Sequence, residues 1–146
     1  MVSEFGAKDF ILLLLNSDNQ KPVSGKLFIQ KEMFLIVEEI YKEIDDELCF
    51  EPYNYGPYSS KLVEILKDLN KDNLIKTNKS FDEFSITESG ENYLKNINFS
   101  EDIIKKVNNL KIGSNKLGYK GLLRYVYFNY PEYTTKSKIK DEVLRD

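Results

Sequence analysis

The stretch Phe50-Glu51-Pro52-Tyr53-Asn54-Tyr55-Gly56-Pro57-Tyr58-Ser59-Ser60-Lys61 lies between two segments of helical periodicity and is not built like an ordinary linker. Three tyrosines and two prolines fall between Pro52 and Tyr58, where a solvated loop would carry Ser, Asn, Asp and Gly. Rings at this density predict a packed corner with Tyr53 or Tyr55 substantially buried. Gly56 supplies backbone freedom, Pro57 fixes φ near the helical value, and Ser59 or Ser60 offers a cap. The spacing therefore reads as a sharp turn into a helix.

That helix is expected over Ser60–Asn70, with Leu62, Ile65, Leu66 and Leu69 on one face and Ser60, Lys61, Glu64, Lys67, Asp68 and Lys71 on the other. On the N-terminal side, Lys26 to Ile44 reads as one helix, because Ile29, Met33, Ile36, Val37, Ile40 and Ile44 follow helical spacing. Phe28, Phe34, Leu35 and Tyr41 add a second apolar stripe, which marks the helix as central, and Ser24 is its expected cap. The apolar run from Phe5 to Leu15 reads as a further buried helix, stopped by Asn16-Ser17-Asp18-Asn19.

Beyond Asn70, Asn73–Thr77 and Glu83–Ile86 read as two short strands joined by Asn78–Asp82. Thr87 then caps a helix whose Gly90 allows close packing. Helix, helix, helix, two-stranded hairpin, helix is the order of a winged helix-turn-helix domain. The expected fold is thus mainly α with a small β-hairpin: a winged-helix domain over residues 1–98 and a C-terminal helical extension over 99–146 packed on it. Phe84-Ser85-Ile86-Thr87-Glu88-Ser89-Gly90 resembles the strand and helix start of many winged-helix repressors.

Two blocks carry a more specific resemblance. Tyr53-Asn54-Tyr55-Gly56-Pro57-Tyr58-Ser59, with the leucines that follow, is similar to the aromatic Gly-Pro block of the YwgA-like proteins. Leu122-Leu123-Arg124-Tyr125-Val126-Tyr127-Phe128-Asn129-Tyr130-Pro131-Glu132-Tyr133 is similar to the ending of the same family. The Gly-Pro turn and the helix before it look more distantly like the Panacea antitoxins and adaptors. The first resemblance brings no settled activity; the second implies a protein partner.

Composition excludes much chemistry. There is no histidine, and Cys49 is the one cysteine, so His-based acid/base work, Ser/His and Cys/His dyads and Cys/His zinc sites within one chain are ruled out. Cys49, flanked by Leu48 and Phe50, reads as a small buried hydrophobe. The acidic group Glu38, Glu39, Glu43, Asp45, Asp46 and Glu47 reads as a solvated face and not a metal site. Gly113, Gly118 and Gly121 do not match a phosphate loop. No catalytic constellation, metal or cofactor is expected. The longest apolar run is well short of the roughly 20 residues that cross a bilayer, so no membrane association and a cytoplasmic location are expected.

The net charge of −3 is unevenly spread: residues 1–55 carry 5 basic and 11 acidic groups, residues 99–146 carry 10 and 6. In that last third, Ser100 caps a helix to Leu110, Gly113-Ser114-Asn115 breaks it, Leu117–Asn129 forms another, and Ser137–Leu144 a short last one. Tyr119, Tyr125, Tyr127, Tyr130 and Tyr133 alternate with Lys120, Arg124 and Lys136. Core rings with solvated cations, a protein interface through Tyr119, Arg124, Tyr125, Tyr127 and Tyr133, and a nucleic-acid surface all fit that pattern.

Two functions follow. The first is a non-enzymatic winged-helix DNA-binding regulator, with duplex DNA met by Tyr58, Ser59, Ser60, Lys61, Lys67 and Lys71 on the recognition helix and by Lys76 and Lys79 on the wing. A homodimer is expected, since one such helix reads few base pairs. Glu64 and Asp68 on the same face oppose phosphate binding. The second is a protein-interaction module, antitoxin- or adaptor-like, on the same scaffold.

Overall fold

The computed structural model describes residues 4–136 and 143–144. Helix α1 (Ala7–Gln20) is buried on every side from Phe10 to Leu15, as a continuous apolar run requires. Its helical geometry ends where the Asn-rich stop begins: Ser17 is extended, and Asp18, Asn19 and Gln20 follow with φ of 50°, 55° and 59°. Successive left-handed residues are costly without glycine, and a buried cation offsets that cost. The Lys111 ammonium donates to the carbonyls of Leu15 (3.3 Å), Ser17 (2.8 Å) and Lys21 (2.6 Å).

Strand β1 (Val23–Ser24) leads into α2 (Lys26–Glu39), which is central as the two apolar stripes predict. Ser24 is not its cap. Gly25 occupies that position with φ 112°, and Asp82, from the distant hairpin loop, accepts from the Lys26 N–H at 2.8 Å. The helix also stops at Glu39 instead of Ile44. Tyr41 folds back to stack on Phe10 (4.9 Å), and a 3-10 turn (Lys42–Ile44) followed by α3 (Asp45–Leu48) places Ile44 and Leu48 in the core. Cys49 is exposed, contrary to expectation: it takes a left-handed conformation (φ 50°) at the end of α3, which turns its side chain outward.

The aromatic corner is a two-stranded hairpin, β2 (Glu51–Tyr53) and β3 (Gly56–Tyr58), so Pro57 lies in a strand and not at a helix start. Ser59 caps α4 (Ser60–Lys71), its hydroxyl accepting from the Leu62 N–H at 3.0 Å. Strands β4 (Ile75–Thr77) and β5 (Glu83–Ile86) form where alternation placed them, and β1 joins them in an antiparallel sheet of order β1-β5-β4. Thr87 caps α5 (Glu88–Leu94) through the Gly90 N–H. A Cβ on Gly90 would stand 2.1 Å from the Leu74 carbonyl oxygen, so only glycine permits this approach.

The C-terminal third, α6 (Glu101–Asn129), is two helical segments as expected, but they join at a kink at Gly118 and not at a break at Gly113. Helical geometry continues through Gly113-Ser114-Asn115 and bends only at Gly118 (φ 72°, ψ 176°). The cost of a mid-helix glycine, about 1 kcal/mol, is outweighed by what that turn anchors: Lys111 grips the end of α1, and the Ser114 hydroxyl donates to Glu32 on α2 at 2.6 Å. Val107, Leu122, Leu123, Val126 and Tyr127 enter the same core as Phe10 and Ile36. The expected helix Ser137–Leu144 lies mostly outside the described residues.

Candidate functional site

Two residues in the middle of α2 position the hairpin. Gln30 makes a two-way amide pair with the Ser59 backbone, donating to its carbonyl and accepting from its N–H, both at 2.8 Å. Lys31 is fully buried and its ammonium donates to the Pro57 carbonyl at 3.2 Å. Desolvation lowers the Lys31 pKa to about 8. From behind, Tyr127 closes on Gly56: a Cβ there would lie 2.9 Å from the ring, and the glycine φ of 87° suits no other residue well.

Held this way, the hairpin does not bury its rings. Tyr53 is 50% and Tyr55 39% exposed, which corrects the expected packed corner; Tyr58 is half-buried. The reason is the hairpin itself, whose backbone reaches the core through Gly56 and Pro57 and leaves the tyrosines on the outer side. Tyr53 and Tyr58 lie with ring centres 5.1 Å apart. With Tyr55, Tyr119, Leu27 and Phe28 they line a cleft of about 520 Å³ at the start of α2. A second cleft of about 320 Å³, bounded by Val63, Leu66, Phe81 and Phe84, shares Lys26, Leu27 and Tyr58 with the first. The two clefts meet at these three residues, the second lying over the buried Gln30, Leu66 and Phe84, and together they make up the groove. Tyr119 is pushed up to about 12 by burial, reinforced by the neighbouring Tyr127 and Tyr55, so it stays protonated and can donate a hydrogen bond.

The residues expected at DNA are only partly together. Ser60, Lys61, Lys67 and Lys71 on α4, and Lys76 and Lys79 on the β4–β5 hairpin, are all exposed. None of these lysines is held in an ion pair among the described residues. Ser59, however, is fully buried: its hydroxyl donates to the Leu48 carbonyl at 2.5 Å and caps α4, so it is unavailable to a ligand. Glu64 and Asp68 are exposed among the lysines of α4.

The expected interface on α6 disperses. Tyr127 is 1% exposed and belongs to the core, which removes it from any surface. Tyr133 is half-buried, its ring 4.8 Å from Phe34. The Tyr125 and Tyr130 hydroxyls both donate to Glu39 Oε2, at 2.9 and 2.6 Å. Half-buried Arg124 donates to the Val143 carbonyl at 3.4 Å. Tyr119 alone joins the groove, brought there by the bend at Gly118.

Sequence reasoning missed the buried polar groups Gln30, Lys31, Glu32 and Lys111. The first three were open to inference, since three successive polar residues in a helix apolar on two faces cannot all reach solvent. Glu32 is held between α2 and α6; burial pushes its pKa up to about 7, against the opposing pull of the Ser114 hydroxyl and the Lys111 charge. Among the described residues no cluster of acidic or cysteine side chains converges as metal ligands, and no helix is long and apolar enough to cross a membrane. No protein-family model matches the chain, and no curated protein is significantly similar to it.

Proposed function

We propose that this chain is a non-enzymatic protein-interaction module on a winged-helix scaffold, antitoxin- or adaptor-like as the Panacea resemblance implies. The tyrosine-lined groove carries the reading: aromatic side chains joined in an apolar surface are favoured anchors for a protein partner. The strand order β1-β5-β4, with α2 and α4 preceding the β4–β5 hairpin, supports the winged-helix scaffold. Gln30 and Lys31 support the role of the hairpin as a fixed platform, because they spend buried hydrogen bonds on its backbone. A photoreactive residue at the exposed Tyr53 position, used in the native host, tests the reading. One partner cross-linked there and lost on Tyr119→Ala is the expected result, and cross-linking to no protein refutes it.

A second reading, the DNA-binding regulator, is favoured by Lys61, Lys67, Lys71, Lys76 and Lys79, which are exposed and form no ion pair among the described residues. The interspersed Glu64 and Asp68 oppose it. It requires salt-dependent binding to duplex DNA that weakens when Lys61→Glu and Lys67→Glu are combined. Its homodimer would appear in the same titration as two-step or cooperative binding.

A further inference from the structure

We infer that the groove takes an extended, proline-rich segment of a partner protein with acidic residues beside the prolines. This rests on the interaction reading and specifies its partner. The shape comes first. The two clefts share Lys26, Leu27 and Tyr58, so the ring-lined cleft at Tyr53, Tyr55 and Tyr119 adjoins the apolar one at Val63 and Phe81. Two adjoining clefts suit a chain that crosses from one to the other better than a compact ligand.

The chemistry of the backbone then separates the ways a chain can lie there. A strand added to the β2–β3 hairpin needs outward N–H donors at its edges. Pro52 and Pro57 are opposed in the register, and neither has an N–H. Two prolines facing each other occupy a pair without hydrogen bonds between them, where the backbone groups point outward, so both hairpin edges lack a donor at their midpoint. Strand addition is thereby disfavoured. A polyproline II segment has no internal hydrogen bonds and leaves its carbonyls seeking donors, whereas a helix satisfies its own. The groove offers hydroxyl donors: those of Tyr53, Tyr55, Tyr58 and Tyr119 have no hydrogen-bond partner among the described residues. The ring faces meanwhile suit proline rings, the recurring way in which aromatic grooves recognise this conformation.

Charge sets the flanks. Lys26 and Lys67 border the groove and form no ion pair among the described residues. Asp82, the acidic group on the same border, already accepts from the Lys26 backbone N–H at the positive end of α2. Asp82 keeps its negative charge, so the border carries two positive charges and one negative, and acidic flanks complement the net positive charge.

Fluorescence anisotropy with four labelled peptides tests the inference on the whole chain. One carries prolines with glutamates, one the same prolines with lysines, one glycines in place of the prolines with the glutamates kept, and one an acidic amphipathic helix. The expected result is at least tenfold tighter binding of the first than of the other three, with a tenfold loss on Tyr119→Ala and a several-fold loss on Tyr119→Phe. Tyr119 is exposed, so neither change threatens folding; circular dichroism verifies this. Equal binding of the glycine or lysine peptide, preference for the helix, binding indifferent to Tyr119→Ala, or no binding at all overturns the inference. The interaction reading fails separately, when the photoreactive probe at position 53 captures nothing. A captured partner whose contact segment is helical or lacks proline leaves that reading standing and overturns this one.

Discussion

Replacing Glu32 by glutamine should change how stability depends on pH more than it changes stability itself. Glu32 is fully buried, Oε2 accepts from the Ser114 hydroxyl, and Oε1 has no hydrogen-bond partner among the described residues. Burial raises its pKa from 4.5 to about 7, so the folded protein holds this proton more tightly than the unfolded chain does. A raised carboxyl favours the fold fully below pH 4.5, and that favour is lost as the pH climbs through about 7. At 1.36 kcal/mol per pH unit the loss is about 3 kcal/mol by pH 8.5, a large share of a typical small domain's stability. Glutamine keeps an oxygen for Ser114 but has no proton to lose. Urea midpoints measured from pH 4.5 to 8.5 for both proteins read the effect; Lys31 titrates in each, whereas Lys111 loses the upward pull of Glu32 in the variant, so the comparison is made below pH 7.5, where Lys111 stays mostly charged. The two should differ progressively, with Glu32→Gln the more favoured at high pH by about 3 kcal/mol relative to low pH. Parallel curves across that range would refute the reasoning.

Other outcomes follow from close contacts. Gly90→Ala forces a Cβ to within 2.1 Å of the Leu74 carbonyl oxygen, and overpacking of this kind costs about 1–3 kcal/mol; thermal denaturation checks it. Lys111→Met should keep the stem packed but leave the Leu15, Ser17 and Lys21 carbonyls without their shared donor. Hydrogen exchange should then rise around Asp18–Gln20, where the left-handed turn loses its restraint, before it rises elsewhere.

Much of the architecture was legible because local patterns agreed with tertiary need. The Phe10–Leu15 run, the Ser59, Thr87 and Ser100 caps, and the β4 and β5 strands all stand where periodicity and capping chemistry put them. Failures came where a distant partner outweighs local propensity. Gly113-Ser114-Asn115 looks like a helix stop, yet the chain there is tied to α1 and α2 through Lys111 and Ser114, and those bonds keep it helical. Ser24 looks like a cap, but Asp82, 58 residues later, supplies one from the hairpin loop. The site was the least legible part. An aromatic corner can be core or surface with the same composition, and only the Gln30 and Lys31 bonds to the hairpin backbone, together with Tyr127 behind Gly56, set which side the rings face.

By itself, then, the sequence determined most of the helices, the β4–β5 pair and the exclusion of histidine chemistry and of Cys/His zinc sites within one chain, since these depend on residue type and near neighbours, whereas β1, the β2–β3 hairpin and α3 emerged only in the tertiary structure. Tertiary structure alone decided which tyrosines are core and which line the groove. Tyr119 and Tyr127 are two turns apart on α6, but the bend at Gly118 and the packing on α2 bury one ring and present the other. Burial is a property of what packs against a residue, and no local pattern fixes that.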